Sequence, residues 1–155
     1  MRPTTDRVRE SIFNALGSLD AIGDATVLDL FAGSGALGIE ALSRGAAAAT
    51  FVEHDGRARS AIAENLRATG LDGRASVVAS TAERYLDEHA EDDPFDLALL
   101  DPPYDFAGWD GLLERLRARL VVIESDRDIP LPPAWQVVRA KGYGSTLVVI
   151  ARSPF

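Results

Sequence analysis

The sequence predicts one α/β domain of 155 residues, built on a doubly wound and mostly parallel sheet. Three observations carry that expectation. Short apolar runs alternate with segments whose apolar residues recur at helical spacing; a glycine-rich turn follows the first run; and two further runs at the end succeed each other directly, as the strands of a hairpin do.

The elements follow in order. From Thr5 to Leu16 the residues Val8, Ile12, Phe13 and Leu16 fall on one helical face, with Thr4 or Thr5 as N-cap and Gly17 as terminator, so residues 1–17 form an opening helix segment ahead of a core spanning 18–155. Thr26 to Phe31 reads as a buried strand. A helix from Leu37 to Ser43 is closed by Gly45, and Ala49 to Glu53 is the second strand. Then come a helix from Arg57 to Thr69 stopped by Gly70, a strand at Ala75 to Ala79, a helix from Thr81 to His89, and a fourth strand at Phe95 to Leu100. A helix from Trp109 to Arg117 and a fifth strand from Leu120 to Glu124 leave almost no room for a turn between them. Either that helix is very short or residues are absent at the junction. Trp135 to Ala140 and Ser145 to Arg152, with Lys141-Gly142-Tyr143-Gly144 between, complete an antiparallel hairpin.

The longest apolar runs fall far below the roughly 18 residues that a membrane span requires. There is no cysteine, hence no disulfide framework and no thiolate nucleophile. The expected setting is a cytoplasmic monomer without a metal. A net charge of −8 argues against a broad electrostatic grip on nucleic acid, because phosphate contacts need clustered cations. His54 and His89 stand apart from any metal-ligand spacing and read as surface residues; Glu124 reads as a strand-end charge, and Trp109 and Trp135 as packing residues.

In doubly wound sheets ligands bind beyond the carboxyl ends of the strands. The unusual residues of this chain cluster there. Gly33-Ser34-Gly35-Ala36-Leu37-Gly38 has the spacing G-x-G-x-x-G, which brings backbone close to a ligand and offers the unpaired N–H groups of a helix start. A dinucleotide and S-adenosylmethionine can both use such a turn, and Glu53, 18 positions after Gly35, suits the ribose diol of either. The residues ahead of the turn separate them. Asp29-Leu30-Phe31-Ala32 places a carboxylate where it can receive the ammonium of a methionine moiety, in the pattern D-x-F-x-G-x-G. The candidate cofactor residues are therefore Asp29, Phe31, Ala32, Gly33, Ser34, Gly35 and Glu53, with S-adenosylmethionine favoured over a nicotinamide dinucleotide.

Asp101-Pro102-Pro103-Tyr104 follows the fourth strand. Proline lacks an N–H and holds the residue before it extended, so this corner is rigid, rich in acceptors and poor in donors. That suits an exocyclic amine on a nucleobase. Asp101 and the Pro102 carbonyl can take both N–H bonds and direct the nitrogen lone pair at a methyl donor, while Tyr104 stacks on the base. The candidate catalytic residues are Asp101, Pro102, Pro103 and Tyr104.

With these residues in view, the chain resembles the RsmD family, which methylates the exocyclic amine of one guanine in small-subunit (16S) rRNA. The resemblance rests on the segment from Arg2 to Glu10 with Phe13-Asn14, on Leu28 to Ala46, on Phe51-Val52-Glu53 and on Asp101 to Tyr104. It implies the seven-stranded, Rossmann-like sheet of the class I S-adenosylmethionine-dependent methyltransferases, and a partly assembled small ribosomal subunit as partner. Members often carry an aspartate where Thr81 falls, which makes Thr81 a weaker candidate acceptor for the adenine amine. They usually carry a basic, β-rich extension before the RPTTDR segment, and here Met1 directly precedes Arg2; that difference would account for the acidic balance. The resemblance also gives Arg7, Arg9 and Asn14 a role at the RNA or the pocket, and Arg139 and Lys141 could add a small RNA-facing patch. Two other readings stay open: a DNA adenine-N6 methyltransferase, which uses the same corner, and a non-catalytic cofactor-binding module.

Overall fold

The computed structural model describes residues 5–155, so Arg2, Pro3 and Thr4 of the opening motif lie outside it. Helix α1 (Asp6–Ser18) is capped by Thr5, whose side chain accepts from the Val8 amide. It runs through Gly17, which does not terminate it; the end comes at Leu19. A helical glycine costs little here because Phe13 and Leu16 are wholly buried and hold the last turns to the sheet.

The sheet has seven strands: β1 (Thr26–Asp29), β2 (Ala48–Glu53), β3 (Ala75–Ala79), β4 (Phe95–Leu100), β5 (Ala118–Ser125), β6 (Gln136–Tyr143) and β7 (Thr146–Arg152). Their order is β3-β2-β1-β4-β5-β7-β6, with the first five parallel and β7 antiparallel to both neighbours. Helices α2 (Ala36–Ser43), α3 (Gly56–Thr69), α4 (Ala82–Glu88) and α5 (Trp109–Arg115) join the parallel strands. Two apolar layers result. Val8, Ile12 and Leu16 of α1 share one with Leu42, Ile62, Val27, Phe51, Leu97 and Val122; Tyr85, Leu86, Leu112 and Leu113 share the other with Leu28, Val52, Ala98 and Val121. Alternate residues of each central strand thus face opposite layers, as a sheet covered on both sides requires.

Two junctions differ from the sequence expectation. Helix α5 ends at Arg115, and the buried Leu116 is already extended, so the chain passes straight into β5 two residues before the expected Leu120. The helix is short, and no turn is needed. In the hairpin, Lys141-Gly142-Tyr143 belongs to β6 rather than to the loop; Tyr143 pairs with Thr146 across the two-residue turn Gly144-Ser145, with Gly144 at φ 61°.

The third glycine of the GSGALG turn is fixed by packing. A Cβ on Gly38 would lie 2.4 and 2.8 Å from ring carbons of Phe51 and 3.1 Å from the Asp29 carboxylate, so α2 can approach β2 this closely only without a side chain. Gly38→Ala is expected to destabilise the fold by about 1–3 kcal/mol, measured by urea denaturation; an unchanged midpoint would contradict the close approach.

Candidate active site

The carboxyl ends of β1 to β4 surround a cavity of about 450 Å³ lined by Leu30 and Phe31 after β1, Val52 to Asp55 at the end of β2, Ser80 to Glu83 after β3, and Pro103 and Phe106 after β4. Its walls are mostly apolar and Glu53 supplies a carboxylate. One oxygen of Glu53 accepts from the Gly33 amide at 2.9 Å and the other from the Asp55 amide at 3.0 Å. This single side chain fixes the glycine turn relative to β2. Gly33 and Gly35 take φ of 57° and 83°, the left-handed region where a side chain is strained, and Gly35 is the N-cap of α2.

Asp29 lies beneath the turn and is 2% exposed. Its carboxylate accepts from the Gly38 amide at 3.0 Å, which ties β1 to the first turn of α2. Burial raises its pKa to about 8; the Gly38 bond works against that shift, and the charges of Asp101 and Glu53 reinforce it. A strand-end acid thus sits among like charges in a dry site, a setting that a bound cation would relieve.

The Asp101 to Tyr104 corner closes the other side. Pro103 borders both the large cavity and a narrow crevice shared with Pro102, Tyr104, Trp109 and Glu124. Tyr104 is 43% exposed. The corner is held from behind: Arg127 donates to the carbonyls of Tyr104 and Phe106 at 3.1 and 2.9 Å, and the Phe106 amide donates to the Pro103 carbonyl at 3.0 Å. The Phe106 ring meets Phe31 edge-on at 5.2 Å and Trp109 at 5.3 Å, joining the corner to the glycine turn. Trp109 is a packing residue, as expected.

Of the residues singled out in the sequence, Phe31, Glu53, Thr81 and Pro103 line the cavity directly, with Ala32 and Gly33 buried in the turn beside it. Thr81 is the N-cap of α4 and its hydroxyl oxygen already accepts from the Arg84 amide at 3.2 Å. Ser34 does not face the cavity; its carbonyl accepts from Asn65, and it lines an open groove between α1, α2 and α3. Arg9 lines that groove too, paired with Asp6 at 2.7 Å and Glu40 at 3.5 Å, and so points away from the cavity. Arg7 and Asn14 are exposed on α1, and Arg139 and Lys141 on β6.

Glu124 is a strand-end charge, but a buried one: it is 1% exposed, near the end of β5 beside the corner. His54 is exposed and borders the cavity, 3.5 Å from Glu53, while His89 is half-buried, 2.7 Å from Asp92. Phe106 and Arg127 escaped the sequence reading. Phe106 follows the corner closely enough to have been suspected, whereas a lone arginine in a loop gives no signal.

Fold and site together define a Rossmann-like methyltransferase domain of the class that uses S-adenosylmethionine. The chain matches the family described as "Conserved hypothetical protein 95" over residues 1–152. It is 42% identical over 158 residues to ribosomal RNA small subunit methyltransferase D of Escherichia coli (strain K12), covering 93% of this chain and 75% of that protein. It is 34% identical over 154 residues to the protein of the same name from Haemophilus influenzae, covering 93% and 79%. A solved structure of a conserved hypothetical protein from Streptococcus pyogenes superposes with a TM-score of 0.83 at 35% identity, covering 94% of this chain and 95% of that one. SMU.776, crystallised with SAH, shares the fold at 16% identity with a TM-score of 0.75. The chain belongs to the Conserved hypothetical protein 95 family, the RsmD family of the resemblance.

The buried Asp29 makes a test possible without any ligand. Its folded carboxyl stays protonated to about pH 8, whereas the unfolded one ionises near 3.8. Between those values the unfolded state binds fewer protons, so stability falls as pH rises, by at most about 1.4 kcal/mol per unit. Asp29→Asn keeps an acceptor for the Gly38 amide and removes the dependence. Denaturation midpoints should therefore show the variant gaining on the wild type from pH 4 to pH 8; parallel profiles would contradict the buried, protonated acid.

Proposed function

We propose that this chain transfers a methyl group from S-adenosylmethionine to the exocyclic N2 amine of a guanine in small-subunit (16S) rRNA, within a partly assembled ribosomal particle. One observation supports the reading above the others: the donor-poor wall at Pro103 borders the cofactor-sized cavity on one side and the crevice beside Tyr104 on the other. The cavity's chemistry fits the cofactor, with apolar walls for an adenine ring and the Glu53 carboxylate for a ribose diol. The reading gives the methionine end to Asp29 and the backbone of Ala32 to Gly35.

When bound, S-adenosylmethionine supplies an electrophilic methyl group on a sulfonium. The protein's own work is positioning. Asp101 and the Pro102 carbonyl accept the two N–H bonds of the target amine, Tyr104 stacks on the guanine, and the nitrogen lone pair is left pointing at the methyl carbon. With the cofactor bound, Asp101 would accept the proton that the methylated nitrogen gives up. The reading has the enzyme act as a cytoplasmic monomer without a metal ion. Among the described residues, no helix is long and apolar enough to cross a membrane.

The test is incubation of labelled S-adenosylmethionine with small ribosomal subunits lacking the modification, followed by nucleoside analysis. The expected product is N2-methylguanosine. Asp101→Ala should lower kcat on the order of 100-fold or more while S-adenosylhomocysteine affinity is retained. N6-methyladenine formed in naked duplex DNA, with no label in rRNA, would replace this reading by the DNA enzyme. Unchanged biological activity of Asp101→Ala would favour the non-catalytic module.

A further inference from the structure

The outer strand β6 stands apart from the rest of the sheet. Gln136 to Gly142 are all exposed, where the central strands are buried. In a chain of net charge −8, this strand carries Arg139 and Lys141 and no acid.

Strand register shows where those cations point. Residues paired directly across neighbouring strands project from the same side of a sheet. Arg139 pairs with Ile150, which pairs with Val122; Lys141 pairs with Val148, which pairs with Glu124. Val122, Val148 and Ile150 belong to the apolar layer beneath α1. Arg139 and Lys141 therefore rise on the α1 side, beyond that helix.

Tyr143, two residues further on, packs against the same layer, and its hydroxyl is hydrogen-bonded to the Ser11 hydroxyl of α1. The Lys141 ammonium lies 5.2 Å from the Tyr143 ring centre. Burial pushes the phenol's pKa up, but hydrogen bonds with Ser11 and Arg139 and the charges of Lys141 and Arg139 outweigh it and leave the pKa below tyrosine's ordinary value. Arg7 and Asn14 lie four residues before and three after Ser11, hence on the same flank of α1. Arg7, Asn14, Arg139 and Lys141, which the sequence could only name separately, thus meet along one seam closed by Ser11 and Tyr143. The seam also has a direction. Tyr143 pairs with Thr146, and the adjoining Leu147 pairs with Ser125, so β6 ends at the same sheet edge as Glu124 and the Asp101 to Tyr104 corner.

We propose that the seam between α1 and β6 is a phosphate track that carries the RNA backbone flanking the target guanine toward the Asp101 to Tyr104 corner. Charge decides the occupant: β6 carries two cations and no acid in an otherwise acidic chain, and together with Arg7 they outnumber Glu10, the exposed acid between Arg7 and Asn14 on α1, which fits a polyanion. The track rests on the reading of RNA as substrate.

The test compares wild type with the double variant Arg139→Ala/Lys141→Ala, using small ribosomal subunits lacking the modification. Binding is measured across a salt series and methyl transfer at one salt concentration. Removing two phosphate contacts should make the log–log salt slope shallower by roughly 1.5 to 2. KM for the particle should rise, with kcat and S-adenosylhomocysteine affinity unchanged. A control, Arg67→Ala/Arg84→Ala, removes the same charge from α3 and α4 and should keep the wild-type slope. A wild-type slope in the β6 variant, or an equal loss in the control, would overturn the track while leaving the substrate reading intact. A wild-type enzyme that neither binds nor methylates the particle would remove both.

Discussion

The Glu53 carboxylate is the interaction on which the site depends. By accepting from Gly33 with one oxygen and Asp55 with the other, it locks the glycine turn after β1 to the end of β2, and the space left between those ends is the cavity. The lock requires α2 to lie close against β2, and the missing side chain at Gly38 permits that approach. Asp29 then secures the helix from below through the Gly38 amide. Turn, helix and strand end form one rigid unit before any ligand arrives, the preorganisation that a positioning catalyst needs.

A carboxylate stands at or next to the carboxyl end of each of the four adjacent strands β2, β1, β4 and β5: Glu53, Asp29, Asp101 and Glu124. Burial is the main cause of the raised Asp29 pKa, and the neighbouring charges of Asp101 and Glu53 add to it. Such an edge favours a ligand carrying positive charge, and the proposed cofactor carries both a sulfonium and an ammonium. On the proposed reading, the grip on RNA falls to the cationic seam of α1 and β6. Arg127 completes the arrangement by holding the corner's backbone, so that Tyr104 is exposed while the chain beneath it is fixed.

Most of the fold was legible because the central strands are apolar runs bounded by clear stops. Gly70, in the left-handed conformation at the end of α3, is an example. The turn after β1 and the corner after β4 were legible for the same reason: each uses residues whose backbone chemistry is unusual. What failed depended on tertiary contact. Gly17 looks like a terminator until the packing of Phe13 and Leu16 is known, and Glu124 looks like a surface charge until the corner folds beside it. The α5–β5 junction misled because a buried Leu116 can change direction without a turn residue. That Ser34 and Arg9 line the groove between α1, α2 and α3 was not legible, because spacing alone does not say which side of a turn or helix a residue faces.

On the proposed reading, Glu53 meets the ribose of a bound adenosine. Calorimetric titration with S-adenosylhomocysteine and with its 2′-deoxyribose analogue, on wild type and on Glu53→Ala, tests it most directly. The account predicts that the wild type binds the ribose form more tightly and that the variant, shown to be folded, no longer distinguishes the two. An undiminished preference in the variant would contradict it.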